Sequence, residues 1–328
     1  IFVDVIVIVE NFNLSCINVS SFKKLNGSQL LKENISYILN SLKLDIIENN
    51  NNKRILHIFN SRSVLDGVEV KNIPIGLFGN FYTHELTFFL IENNEYKNIQ
   101  QIFKKNNLNI KKLILKNYCE GINFFNQNSE NENFILIKVE NEISQINFFE
   151  NLSFRYSQTF NFGTNIILKD ISKICSISNQ IIEKFLEDNS FNNLNFNEKE
   201  ILEEKYFENN NFRKVRKSLI FDIANARIEE MINILFSKNN NLQLFKKKRM
   251  NILLEIKKGI FLDNFKASFQ SNITKKDDFN VLVNNNIVND EYMSNVAHLA
   301  NFGWKKEAIP TTKIKSSIIT RIFKSIFG

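Results

Sequence analysis

At 328 residues the chain can bury a large core and fold as more than one unit. Its cysteines, Cys16, Cys119 and Cys175, are odd in number and far apart, which excludes a disulfide framework or a CxxC metal pair and points to a reducing cytoplasm. The net charge of +7 is spread out, with concentrations only at Lys246 to Arg249 and near the C-terminus, and no RRM, zinc-finger or KH signature accompanies it, so nucleic acid is not an expected partner.

The chain opens at Ile1, not at Met, inside the apolar run IFVDVIVIV, and the expectation is that an N-terminal piece is missing. Phe2 to Val9 reads as a buried strand and Asn13 to Ser20 as a second. Ser28 can cap a helix carrying Leu30, Leu31, Ile35, Ile38, Leu39 and Leu42 at helical spacing, which ends before the run Asn49 to Asn52. Ile55 to Phe59 is a strand, Asp66-Gly67 a turn, and Pro74, Gly76 and Gly79 punctuate an extended passage. These elements predict a small α+β insert.

Strand Thr83 to Ile91, helix Tyr96 to Lys105, extended Leu113 to Leu115 and helix Asn117 to Phe125 then alternate as βαβα. A second series follows, with strands Phe134 to Val139, Ser144 to Phe149 and Phe154 to Phe160, and helices Asn165 to Cys175 and Ser178 to Leu186. Two successive α/β units suggest duplication, although no residue-level repeat is visible. Phe212 to Phe236 predicts one long helix with Arg213, Lys214, Arg216 and Lys217 at its start, where the macrodipole disfavours cations and asks for an acidic partner. Strand Met250 to Leu254 and helices Phe261 to Phe269 and Glu291 to Phe302 complete the body; further Asn runs at 209–211, 239–241 and 284–286 mark loops.

Residues 313–328 place Ile314, Ile318, Ile319, Ile322, Phe323, Ile326 and Phe327 on one helical face, with Lys315, Arg321 and Lys324 among the polar residues. Such a helix is too short to span a bilayer but suits its interface, where cations meet anionic lipid. A last helix packed on its own domain is the competing reading; Ala308, Pro310 and Thr311-Thr312 look like a tether that frees it.

From Arg54 onward the residues resemble the bacterial cell-division protein family FtsA, actin-like adaptors that tether the FtsZ ring to the membrane. The resemblance rests on Arg54-Ile55-Leu56-His57-Ile58, then Leu65-Asp66-Gly67, then Ile73-Pro74-Ile75-Gly76-Leu77-Phe78-Gly79; on Gly163, Asn165, Asp170 and Ile171, where the family has a Gly-Gly-Asn loop followed by Thr-x-Asp-Ile; and on Asn301-Phe302-Gly303, a linker and an amphipathic helix at the end. It implies an α/β, actin-like fold of ribonuclease H-like duplicated domains, with an SHS2-type 1C insert and a C-terminal amphipathic helix. The implied divisions are 1–11 and 81–132 for domain 1A, 12–80 for 1C, 133–188 and 250–303 for 2A, 189–249 for 2B, 304–312 for a linker and 313–328 for a membrane-targeting helix.

The resemblance also implies ATP with Mg²⁺ between glycine-rich hairpins, since only glycine lets backbone N–H groups close on phosphates. The chain departs from that pattern. With nine glycines and no GxG, it reads Lys138-Val139-Glu140-Asn141-Glu142-Ile143 where the family has Asp-x-Gly-Gly-Gly-Thr. It reads Lys257-Lys258 before Gly259 at the adenosine turn, and keeps only Lys184 of the Ala-Glu-x-x-Lys helix. No nucleotide cofactor and no hydrolysis are therefore expected. The three histidines, His57, His84 and His298, are isolated and read as packed or capping residues, and no GxSxG or Walker pattern appears.

By the same resemblance Arg213, Arg227 and Glu230 match positions that hold the C-terminal peptide of FtsZ, and an Arg fork suits a carboxylate. A solvated helix face, with Arg227 and Glu230 paired at i, i+3, competes with that reading. The function expected is a peripheral adaptor at the division site on the cytoplasmic face of the plasma membrane. It would self-associate into filaments through 1C and recruit later divisome proteins. The alternative is an ATP-dependent actin-like filament or pilus-assembly protein.

Overall fold

A computed structural model describes residues 4–10, 14–127, 132–189, 199–207, 211–243, 250–257, 259–273, 279–283, 290–304 and 306–308. The architecture is α/β, and the chain divides into two compact units. Unit 1 comprises residues 1–120, 151–155 and 294–328, and unit 2 comprises 121–150 and 156–293.

Unit 1 holds two sheets. In the smaller, β1 (Asp4–Val9) pairs in parallel with β6 (Asn109–Leu115). The larger contains β2 (Ser15–Lys24), β3 (Lys53–Leu65), β4 (Val68–Val70) and β5 (Phe81–Glu92), in the antiparallel order β2-β5-β3-β4. Even-numbered positions of β5 (Tyr82, Leu86, Phe88, Leu90) meet α1 (Lys32–Asn49), which buries Ile38, Leu39, Leu42 and Ile46 against them. Odd positions face an aromatic cluster in which Phe89 stacks on Phe154 at 4.3 Å and Phe59 meets Tyr118 edge-on at 4.8 Å. With both faces covered, the ladder excludes water over most of its length. The helices α2 (Asn93–Lys105) and α3 (Lys116–Gln127) flank β6 in sequence, α3 running on into the residues of unit 2.

Several expectations change here. The helix does not start on a Ser28 cap: Ser28 Oγ bonds Leu25 O, and the Asn34 side chain instead accepts from the Leu31 N–H at 2.9 Å. The strand expected at Thr83 to Ile91 does not open the unit after the insert. As β5 it is an inner strand of the four-stranded sheet, bonded to β2 on one side and β3 on the other, so a boundary at residue 80 would cut that sheet. The Asp66-Gly67 turn forms as read, with φ of 48° and 83°, the left-handed pair that a two-residue hairpin needs. Of the linker expected at 304–312, the described residues 306–308 are not a free tether: Glu307 bridges Phe59 antiparallel and Ala308 is buried.

Unit 2 is built on a five-stranded sheet in the order β11-β10-β7-β8-β9, from β7 (Phe134–Val139), β8 (Ser144–Glu150), β9 (Ser153–Phe160), β10 (Met250–Ile256) and β11 (Phe279–Val283). β9 starts among unit 1's residues. The pairs β10–β7 and β10–β11 are parallel, whereas β7–β8 is antiparallel. Every residue of β7 is buried, the mark of a strand covered on both faces. Its covering helices include α4 (Asn165–Cys175), α5 (Asn179–Asp188), α6 (Lys217–Ile232) and α8 (Leu262–Ile273); α7 (Asn240–Gln243) is one turn, and α9 (Asp290–Phe302) leads back to unit 1.

The long helix expected from Phe212 is shorter. Residues 200–202 and 215–217 pair instead, through Leu202 N–H to Val215 O (2.8 Å) and Lys217 N–H to Glu200 O (2.9 Å), and α6 starts only at Lys217. At its C-terminal end it passes into a π-turn, Asn233–Ser237.

Candidate functional site

The β7–β8 hairpin brings together most of the residues singled out for phosphate chemistry. Its turn closes with Glu140 N–H donating to Ile143 O at 2.9 Å. The turn then lies directly on the start of α4: Thr164 N–H donates to Glu140 O (2.8 Å) and Asn165 N–H to Asn141 O (2.9 Å). Ile166 and Ile167 N–H donate to Gly163 O (3.2 Å) and Thr164 O (3.1 Å). The first N–H groups of a helix are ordinarily the ones that receive a phosphate. Here the chain satisfies all four itself.

The local anion is also supplied internally. Glu142 accepts from Asn165 Nδ2 at 2.6 Å and pairs with Lys169 at 3.7 Å. The Asn165 hydrogen bond and, after it, the Lys169 charge hold the Glu142 carboxyl below the usual carboxylate range. A carboxylate fixed at a helix N-terminus gains from the macrodipole. A phosphate brought to the same place would meet like charge.

Gly163 makes this closure geometrically feasible. A Cβ there would stand 2.2 Å from Glu140 O and 2.6 Å from the Asn141 carbonyl carbon, so the backbone contact requires glycine. Lys138, one strand residue before the turn, is 2% exposed and flanked in register by Gln145 on β8 and Glu255 on β10. Lys257 joins the same edge through its backbone, donating to Val139 O at 2.8 Å, while its side chain is exposed. Gly259 begins a 3-10 turn in open space. Lys184 lies on the exposed side of α5, and Lys258 falls outside the described residues. At this turn the described donor set does not fit a phosphate: the hairpin offers carbonyls and carboxylates, and the adjacent N–H groups are taken. Among the described residues no group of three or more His, Cys, Asp or Glu could hold a metal ion.

Arg213, Arg227 and Glu230 are placed differently from one another. Arg227 is committed within unit 2, its Nε to Asp170 Oδ2 and its Nη1 to Glu230, which is the i, i+3 pairing weighed from the sequence with a second partner on α4. Arg213 and Lys214 are exposed in the extended segment before α6. They are therefore outside the helix and exempt from its dipole. The acidic partner asked for at the helix start exists: Lys217 reaches Glu203 at 3.2 Å and Glu200 at 3.7 Å.

In unit 1 the far end of the four-stranded sheet carries exposed apolar side chains. Phe22 (63% exposed) and Phe81 are diagonal neighbours on one face, since Phe22 opposes Thr83 and Lys24 opposes Phe81. Next to them Ile75, Leu77 and Phe78 (68% exposed) run along the Leu25–Leu30 segment, tied by Leu30 N–H to Leu77 O (2.9 Å) and Gly76 N–H to Leu30 O (2.8 Å). Asp66 pins the end by accepting from Asn80 N–H (2.8 Å) and Phe81 N–H (2.7 Å). This is the passage Ile73 to Gly79 that carries the sequence resemblance. The proposed membrane residues Ile314, Lys315, Ile318, Ile319, Arg321, Ile322, Phe323, Lys324, Ile326 and Phe327 lie outside the described residues.

The sequence reading missed Thr164, Lys169 and the pairing of Asp170 with Arg227. An Asn four residues before a Lys, opposite an acidic turn, was the available signal for the Glu142 cluster; the Asp170–Arg227 pair spans 57 positions and leaves no local trace.

No family model matches the chain, and no curated protein matches it. Among solved structures it is similar to a PilM-PilN type IV pilus biogenesis complex, at 6% identity and a TM-score of 0.44 over 90% of this chain and 76% of that one. It is also similar to MreB5 of Spiroplasma citri bound to ADP (10% identity, TM-score 0.40, 64% of this chain and 65% of that). A third is the ethanolamine utilization protein EutJ from Carboxydothermus hydrogenoformans (11% identity, TM-score 0.34, 53% of this chain and 50% of that). The chain spans less than two thirds of the length of the last two.

Proposed function

We propose that this chain is an actin-like assembly protein that works by docking other proteins and not by turning over nucleotide. The observation that carries the reading is the closure of the β7–β8 turn onto α4, with Glu142 held at the helix start where a phosphate would need to be. The strand order of unit 2, one antiparallel neighbour beside a parallel run, supports the ribonuclease H-like half of an actin-like fold. The path β2-α1-β3-β5, with the short β4 in the β3–β5 connection, supports a strand-helix-strand-strand, SHS2-type insert. The insert's exposed apolar end is suited to self-association, the filament contact expected of a 1C domain. Within this reading the chain is an adaptor of the FtsZ ring on the cytoplasmic face of the plasma membrane. FtsZ's acidic C-terminal peptide would then meet the exposed Arg213 segment, and later divisome proteins and anionic lipid would be its other partners.

Titration of the full chain with labelled ATP and Mg²⁺, followed by a phosphate-release assay, tests it. We expect neither micromolar binding nor release. Micromolar binding with hydrolysis would overturn the reading in favour of an ATP-dependent actin-like filament or pilus-assembly protein. Peptide capture separates partners: Arg213→Glu should lower FtsZ-peptide capture at least tenfold, and added salt should do the same to the parent chain because exposed charges are screened. Capture unaffected by either would remove FtsZ from the proposal.

A further inference from the structure

After α9 the chain turns at Gly303 (φ 73°), whose N–H donates to Leu299 O at 2.9 Å, and Trp304, Lys306, Glu307 and Ala308 are then each bonded to other parts of unit 1. Trp304 Nε1 donates to Leu152 O at 3.0 Å. Lys306 O accepts from Asn60 N–H at 2.7 Å, and Lys306 Nζ donates to Lys71 O at 2.6 Å. Ala308 N–H donates to Ile58 O at 2.8 Å, and its side chain is buried. β4 covers Ser63–Leu65 of β3, and this segment covers Ile58–Asn60, so two short pieces close the same outer edge. An uncovered edge of that length would be open to pairing with another chain.

Glu307 does more than extend the ladder. One carboxylate oxygen meets His57 Nδ1 on β3 at 2.9 Å, and the other meets Lys112 Nζ on β6 at 3.4 Å. His57 Nε2 accepts from Leu115 N–H at 3.3 Å, so Nδ1 carries the imidazole proton and donates it to Glu307. A single, largely buried carboxylate therefore spans the four-stranded sheet and the β1–β6 pair, two sheets that share no strand.

We propose that Trp304 and residues 306–308 form a strap, with Glu307 as its buckle, that fastens the four-stranded sheet to the β1–β6 pair. Neither the nucleotide reading nor the choice of partner enters this inference. Its test is amide hydrogen exchange on the full chain, on Glu307→Gln, and on chains ending at Ala308 and at Gly303. The reporters are the Asn60 amide, under the strap, and the Leu115 amide, which crosses the joint to His57. The Val19 amide in the β2–β5 ladder and the Leu136 amide in β7 serve as controls. Glu307→Gln should speed exchange at Leu115 at least tenfold with the controls unchanged. Ending the chain at Gly303 should release both reporters, and ending it at Ala308 neither. Unchanged Leu115 exchange in Glu307→Gln would overturn the proposal even if the chain ending at Gly303 failed to fold. So would release of both reporters on ending the chain at Ala308, which would move the fastening into residues 309–328.

Discussion

His84 is fully buried in β5 and has a fixed tautomer, because Asn60 Oδ1, which can only accept, meets its Nε2 at 2.9 Å while Tyr82 OH meets its Nδ1 at 2.6 Å. Protonation would add a charge that no carboxylate in this network compensates. Burial foremost, and then the Lys306 charge, push its pKa down from 6.5 to about 4. The unfolded chain therefore binds a proton that the fold refuses. Stability is complete above 6.5 and is lost as pH falls toward 4, by about 3 kcal/mol for a shift of that size. Glu307 adds a second, lower window. Its burial raises the carboxyl pKa, but the His57 hydrogen bond and the Lys112 charge outweigh that, so its contribution persists until pH falls through its depressed folded value. Urea melts between pH 7.5 and 4.5 should show falling stability, and His84→Gln should flatten the upper part of that slope. An unchanged slope would mean that other groups set the acid limit. Of this chemistry the sequence displays only an isolated histidine. Its partners, Ser63, Tyr82 and Asn60, come from two strands whose pairing is not written in their spacing.

At the scale of elements, local pattern and long-range pairing part company in an orderly way. The helical stripes of α1, α4 and α5 and the alternating or wholly apolar runs of β3, β7 and β8 could be read directly, since each buries its own periodic face. What could not be read is partnership. β5 looks like the first strand of the next unit, because nothing in Phe81–Glu92 says that β2 and β3 will flank it. Residues 212–216 have acceptable helix propensity, yet pairing with 200–202 keeps them extended, a tertiary override of a weak local preference. The hairpin–α4 junction joins both kinds of information. The acidic turn and Gly163 stood out in sequence, but that they touch did not. Gly163→Ala would force its Cβ into Glu140 O, where the neighbour is backbone and cannot swing aside. It should cost roughly 1–3 kcal/mol, as overpacking does, and lower the melting temperature. If the loss stays below about 0.5 kcal/mol, the range of an ordinary surface substitution, the hairpin is looser than its hydrogen bonds indicate.

At the scale of the whole molecule the prediction to test is membrane attachment through the C-terminal residues. Among the described residues no helix is long and apolar enough to cross one. The sequence of residues 313–328 suits attachment from one side: an Ile- and Phe-rich stripe, with Lys313, Lys315, Arg321 and Lys324 and no acid. Each cation near an anionic leaflet contributes about 1 kcal/mol, enough beside the stripe for reversible anchoring. Ala308 is the last described residue that is fastened to the fold, through its N–H to Ile58 O, so a chain ending there keeps those contacts and tests residues 309–328 separately. A chain ending there should keep its melting temperature and lose vesicle sedimentation. Ile322→Glu with Phe323→Glu should do the same in the full chain, by putting carboxylates into the apolar stripe. Lys315→Ser with Lys324→Ser should weaken binding on anionic vesicles and leave the small residual binding to neutral ones unaltered. If residues 309–328 instead dock on the protein, the pattern reverses: the shortened chain melts lower, and the full chain stays in the supernatant whatever the lipid.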